Sequence, residues 1–260
     1  MKSLMVLGLI TLAALSLGSC ATINPISNPP YYPTAPDAPL LDHQGEVQMS
    51  GAVSPTGNFF NLDYAVTDHI GLLGTGAFAQ RGTSGFLGNQ YEGELGLGYF
   101  DTTGSGFVHE FYGAGGWGTA SYSSEAVFTR DPQSGAPLIS AEGDQVRFWH
   151  SWLQADVGYE QEHLSLTFLL RATYVNSYYD IATQVDHIIG AGVALGATTP
   201  SILDSTPRRT SVLYLTPGIE GRAGVEHFKL RGTVYLLAGI YGVSSSAPLL
   251  LTSLGLDVIF

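Results

Sequence analysis

Two adjacent pairs carry the side chains that hydrolytic chemistry uses. His150 precedes Ser151, and Asp186 precedes His187. An imidazole beside a hydroxyl can take its proton, and an imidazole beside a carboxylate can activate water. Residues 146–161 alternate like a strand, however. Neighbours on a strand point to opposite faces, so His150 and Ser151 cannot form a dyad. Asp186 and His187 fall in a long polar stretch, where an isolated pair reads as solvated decoration. His69, His163 and His227 fall at short turns, His43 precedes the first strand and His109 lies near the start of the fifth. Such imidazoles could bind a metal or sense pH. Set on separate turns, they read instead as amphipathic residues at an interface. Gly113, Gly115 and Gly116 lie in an alternating segment with no helix after them to hold a phosphate. The expectation is no catalysis, no metal site and no cofactor.

The elements that position these groups are strands. Expected boundaries are 45–54, 58–67, 70–81, 90–101, 107–122, 146–161, 163–179, 210–223, 226–242 and 248–260. Most reach the length of about 9–11 residues that crosses a bilayer at a tilt. Leu164, Leu166, Phe168, Leu170 and Tyr174 share one face, against Ser165, Thr167, Arg171 and Thr173. Phe228, Leu230, Val234, Leu236 and Ile240 oppose Lys229, Arg231 and Thr233. Period two separates these sets across a sheet. On this register one face carries Asp63, Glu92, Glu94, Asp156, Glu160 and Glu220, with Arg171, Arg222, Lys229 and Arg231. Aromatics near strand ends, among them Tyr99, Phe100, Phe107, Trp149, Tyr159, Tyr178 and Tyr179, read as interfacial girdles.

Composition narrows the architecture. Hydrophobic residues make up 45% of the chain and charged residues 12%, with 33 Gly and 14 Tyr. Outside the extreme N-terminus no apolar run reaches the roughly 18 residues of a membrane helix. A membrane barrel needs apolar residues only on its outer face, which fits both facts. The formal charge of −12 argues against nucleic acid as a partner. Tight connections at 67–69, 101–106, 160–163 and 224–226 alternate with stretches at 82–89, 123–145 and 180–209 that are expected to be long loops. The fold expected for 45–260 is all-β: an antiparallel transmembrane β-barrel of about ten strands, with short periplasmic turns and longer outer loops. A soluble, lipid-anchored sandwich would show the same alternation.

The ends add targeting signals. Residues 1–19 read as a signal peptide, ending Leu17-Gly18-Ser19 before Cys20. This resembles the lipobox of bacterial lipoproteins, which implies a lipidated Cys20. Residues 20–44 read as a Pro-rich linker, a stiff tether between lipid and domain. At the other end Leu254, Leu256, Val258 and Phe260 resemble the C-terminal assembly signal of outer-membrane barrels. The chain as a whole resembles the small outer-membrane barrels of the OmpA/OmpX/OmpW-like group. A lipobox is unusual among those. The resemblance implies a Gram-negative outer membrane, both chain ends periplasmic, and contact with membrane lipids and the barrel-assembly and lipoprotein-processing machinery. The function expected is structural or surface interaction, with an unknown partner outside or in the periplasm and a lumen filled by paired polar side chains. A narrow channel for small solutes is the first alternative. A lipid-modifying or protease-type barrel enzyme is the second.

Overall fold

The computed structural model describes residues 33–55, 57–83, 86–124, 127–130, 137–140, 143–180, 209–241 and 248–260. The signal segment, Cys20, Asp186 and His187 lie outside these residues. The strands are β1 (Val47–Ser54), β2 (Gly57–Ala65), β3 (Ile70–Thr83), β4 (Phe86–Thr102) and β5 (Phe107–Ser124). Then come β6 (Val127–Arg130), β7 (Pro137–Ser140), β8 (Gly143–Gln161), β9 (Leu164–Asp180), β10 (Arg209–Val225), β11 (Phe228–Tyr241) and β12 (Leu249–Ile259).

Ten of them close into one antiparallel barrel in the order β1-β12-β11-β10-β9-β8-β5-β4-β3-β2. β6 and β7, between β5 and β8 in the chain, form a separate two-stranded sheet. Closure joins β1 to β12 from Gln48↔Ile259 to Val53↔Leu254. A closed ring has no second sheet to face, so the sandwich alternative fails. The first strand begins and the last one ends at one rim, where Val47 and Phe260 exchange backbone hydrogen bonds. The tight turns after β2, β4, β8 and β10 share that rim.

One expected loop is absent. Residues 82–89 lie mostly on strands, with β3 and β4 paired out to Thr83↔Phe86. Beyond the bilayer both faces of a hairpin can be polar, so the apolar alternation that marks a strand fades while the ladder continues.

Outward residues are apolar and inward ones mostly polar. Leu95, Leu97, Phe111, Leu153, Phe168 and Leu230 are all more than half exposed on the outside. Soluble proteins rarely carry so broad an apolar belt, and a bilayer requires one.

Candidate functional site: the plugged lumen

Eight strands enclose a space that side chains alone just fill, and ten enclose somewhat more. In the half nearer the tight turns, alternation on β10 and β11 turns Glu220, Arg222, Lys229 and Arg231 inward. Register sets Arg222 directly opposite Arg231. Opposed like charges repel, so anions must gather around the pair. Arg222 Nε lies 2.9 Å from Glu220 Oε1 and 3.2 Å from Asp257 Oδ2 of β12. Arg231 Nε lies 3.6 Å from Asp257 Oδ1. Lys229 Nζ reaches Glu160 Oε1 at 2.6 Å.

A further anion comes from outside the sheet. Asp37 Oδ1 accepts from Arg231 Nη1, and from Arg222 Nη2 at 3.2 Å. Its Oδ2 accepts from Asn61 Nδ2 and Ser50 Oγ. Asp37 belongs to residues 33–42, which form no strand or helix. The part of the expected tether that the structure describes therefore lies inside the barrel. Three prolines, Pro33, Pro36 and Pro39, favour extended backbone as far as Leu40, whose φ of 55° turns the chain, and remove three N–H donors. Such a rod suits a lumen whose wall has already paired its own backbone.

The segment meets a different layer at each step. Leu41 packs on Ala65 and Phe100, at the turn rim. Leu40 and Ala38 pack with Val108. Arg222 donates to Pro39 O at 3.1 Å and also to Ala38 O. Gln154 Nε2 donates to Asp37 O at 2.6 Å. Thr34 Oγ1 donates to Glu94 Oε1 at 3.0 Å and accepts from Arg171 Nη1 at 3.1 Å. Ala35 abuts an apolar layer that includes Val146, Phe148, Val175, Tyr214, Tyr235 and Leu251. That layer lies in the half nearer the loops, where buried Gln90 and Ser177 are interspersed with it. The cavity beside Thr34, Ala35, Asp37 and Pro39 measures ≈ 10 Å³. That is room for about one water at most.

A second polar cluster lies at mid-height. Glu94 Oε1 is 2.9 Å from His150 Nε2, and Trp152 Nε1 donates to Glu94 Oε2 at 2.9 Å. Arg171 stacks 4.1 Å from the Trp152 ring and donates to Gln154 Oε1 at 2.6 Å. His150 on β8 reaches Glu94 on β4 across β5, where Gly116 makes room. A Cβ at Gly116 would stand 2.6 Å from His150 Nε2. Ligand atoms of Glu92, Glu94 and His150 lie within 4.8 Å of one another, a spacing that could hold a cation. Glu94 already accepts from His150, Trp152 and Thr34, so the trio is built into a hydrogen-bond network.

Of the residues singled out in sequence, Asp63, Glu92, Glu94, Asp156, Arg171, Glu220, Arg222, Lys229 and Arg231 are buried in the lumen wall. Glu160 is partly exposed at its turn-side end. His150 is buried while Ser151 faces outward, so they share no site. Leu254, Leu256 and Phe260 are exposed, and Val258 is half-buried. His43, His69, His109 and His163 are exposed at the turn rim. Among the described aromatics, one departs from the girdle reading. Phe100 points inward and is fully buried under Leu41. Alternation after Tyr99 could have shown this. Asp257, which alternates with Leu256 and Val258, was open to the same reasoning. Asp37 and Glu110 were missed as well.

Closure, an apolar outer belt and a polar half-lumen together define the architecture. The chain folds as a small outer-membrane β-barrel. No family model and no curated protein matches this barrel. Solved barrels align with most of it. The translocator domain of the autotransporter NalP from Neisseria meningitidis aligns at TM-score 0.46 and 10% identity, covering 83% of this chain and 87% of that one. The outer membrane protease OmpT from Escherichia coli aligns at TM-score 0.45 and 9% identity, covering 84% and 94%. Ail, the attachment invasion locus protein of Yersinia pestis, aligns at TM-score 0.36 and 12% identity, covering 84% and 99%.

Proposed function

We propose that this protein is a lipid-anchored outer-membrane barrel that does not conduct, a closed scaffold presenting its long outer connections to a partner. The observation that carries the reading is the plug: residues 33–42 occupy the lumen, and Asp37 is shared by two buried arginines. Beside Thr34, Asp37 and Pro39 the cavity that remains, ≈ 10 Å³, has room for about one water. The 123–145 and 180–209 connections form the contact surface, because long loops on a rigid scaffold usually carry function. Tight turns face the periplasm, and the lipid sits on Cys20 after removal of residues 1–19. Leu254, Leu256, Val258 and Phe260 engage the assembly machinery. No catalytic step is assigned, since Ser151 and His150 lie on opposite sides of the wall.

Planar-bilayer recording tests the scaffold reading. The full chain gives no conductance steps, and a variant lacking residues 33–41 gives steps or flicker. Steps of equal size from both proteins would overturn it. Deleting 181–208 leaves the barrel folded and abolishes surface binding; loss of the barrel would count against a loop role.

A further inference from the structure

The barrel interior holds more acid than base. Among the described residues, eight buried carboxylates face four buried basic side chains. Charges taken out of water are neutralised, paired or bound to metal ions, so the excess calls for protons or cations. In the turn half, Arg222, Lys229 and Arg231 meet part of it. At mid-height Arg171 donates to Gln154 and Thr34, and Glu94 has His150 as its ion partner at 2.9 Å. Glu92 and Glu94 stand two apart on β4, so both point inward. Beside them β5 carries Gly118 and Gly116, and beyond these β8 carries Phe148 and His150. Adjacent strands lie about 4.8 Å apart, so His150 crosses roughly 10 Å to reach β4. The glycines open that crossing. A Cβ at Gly116 would stand 2.8 Å from His150 Cε1, and one at Gly118 would stand 2.4 Å from Phe148 Cζ. The Phe148 ring walls the imidazole, with 6.0 Å between centroids. Donor atoms of Glu92, Glu94 and His150 are thereby gathered within 4.8 Å of one another.

We propose that Glu92, Glu94 and His150 bind one divalent transition-metal cation of the zinc class. Two carboxylates and a neutral imidazole leave a divalent ion with no net charge, which suits a buried site. An imidazole among the ligands points away from Mg²⁺ and Ca²⁺, which take oxygen, and toward Zn²⁺ and its neighbours. Zinc lies about 2.0–2.2 Å from such atoms, which sets tetrahedral ligands roughly 3.4 Å apart, so the trio closes by at most about 1.4 Å around the ion. A carboxylate can bind through both oxygens, so three side chains can fill a four-coordinate shell. The bonds already made to Glu94 support this role. Trp152 Nε1 donates to Oε2 and Thr34 Oγ1 to Oε1, as outer partners orient metal-binding carboxylates. The bond from His150 Nε2 to Glu94 is the one the ion replaces, and the imidazole stays neutral with its proton on Nδ1. Thr34 belongs to the plug, so the ion ties β4, β8 and the plug together at one point.

Metal content decides. The full chain, without a histidine tag, is refolded from urea into detergent micelles with ZnCl₂ present, so the ion needs no route past the plug. The heat-modifiable folded form is washed with chelator, and its zinc is measured by plasma mass spectrometry. The expected result is about one zinc per chain, retained through the wash as for a buried structural site. Glu92→Gln and His150→Gln, folded by the same criterion, lose it. Glu110→Gln, which removes another buried carboxylate of the lumen wall, keeps it. Zinc absent from the folded parent, or persisting in either ligand variant, overturns the proposal. X-ray absorption at the zinc edge of the parent needs no variant to fold. One imidazole in a shell otherwise of oxygen supports the site. Two or more imidazoles would assign the ion to the rim histidines and overturn it.

Discussion

Replacing Asp37 with alanine tests the plug directly. The substitution removes the carboxylate shared by Arg222 and Arg231 while leaving the backbone acceptors at Asp37, Ala38 and Pro39 in place. Removing one partner of a buried ion pair costs about 3–5 kcal/mol, because the other charge is left behind. Here both arginines keep Asp257, and Arg222 also keeps Glu220. The loss therefore falls at the low end, about 3 kcal/mol. Urea unfolding of the barrel in detergent micelles, followed by tryptophan fluorescence, measures it. A double-mutant cycle with Arg231→Met isolates the contact, since charged pairs in direct contact couple by about 0.5–3 kcal/mol. The expected coupling is about 2 kcal/mol. If Asp37→Ala stays within about 0.5 kcal/mol of the parent, a range typical of surface substitutions, residues 33–42 do not hold the lumen.

Other consequences can be measured alongside. Gly116→Ala sets a methyl group against His150 Nε2 and the Gly93 carbonyl; overpacking of this kind costs about 1–3 kcal/mol, read by the same unfolding curves, and a neutral result would remove the need for a glycine there. Leu95→Arg puts a charge on the lipid-facing wall and should cost about 2–4 kcal/mol if that position sits near mid-bilayer, seen as lower refolding yield into vesicles; an unchanged yield would shift the apolar belt. Glu46 lies at the turn rim, where burial raises its carboxyl above the ordinary value of 4.5 against the hydrogen bond from Asp42 N–H and the nearby His43. The unfolded chain then loses this proton first, so stability falls as pH rises from the unfolded value through the folded one. Glu46→Gln removes that loss: its melting midpoint should gain on the parent as pH rises past 4.5 and then level off, whereas a constant difference would deny the shift.

Alternation made the wall legible. Leu164 to Tyr174 and Phe228 to Ile240 each gave a face, and opposite faces follow from period two without tertiary information. The plug was illegible for the same reason. Residues 33–42 have no period, and prolines make buried and exposed extended chain look alike. The partners of Asp37 lie as far as 194 residues away, so only register reveals them. Arg222 opposite Arg231 was the available clue, a charge pair that demands an anion, but it appears only once β10 and β11 are aligned. The apolar layer of the loop half was hidden differently. Val212, Tyr214 and Tyr235 sit among other apolar residues, and a strand that is apolar on both faces does not tell in from out. The stretch 82–89 reversed the problem, since its Gly, Ser and Asn residues marked a loop where the ladder runs on to Thr83↔Phe86.

The closing pair of strands has a consequence for how this molecule is made. β1 and β12 share six paired positions, Gln48 to Val53 with Ile259 to Leu254, whereas β5 and β8 share seventeen, from Phe107 to Ser123. The plug runs straight into β1, and its anion binds arginines on β10 and β11. Asp37 also bonds Ser50 of β1, beside the seam. The short β1–β12 seam then works as a clasp: it carries the fewest paired positions of the ring, and Asp37, bonded to Ser50 of β1 and linked through Arg231 to Asp257 of β12, braces it from within.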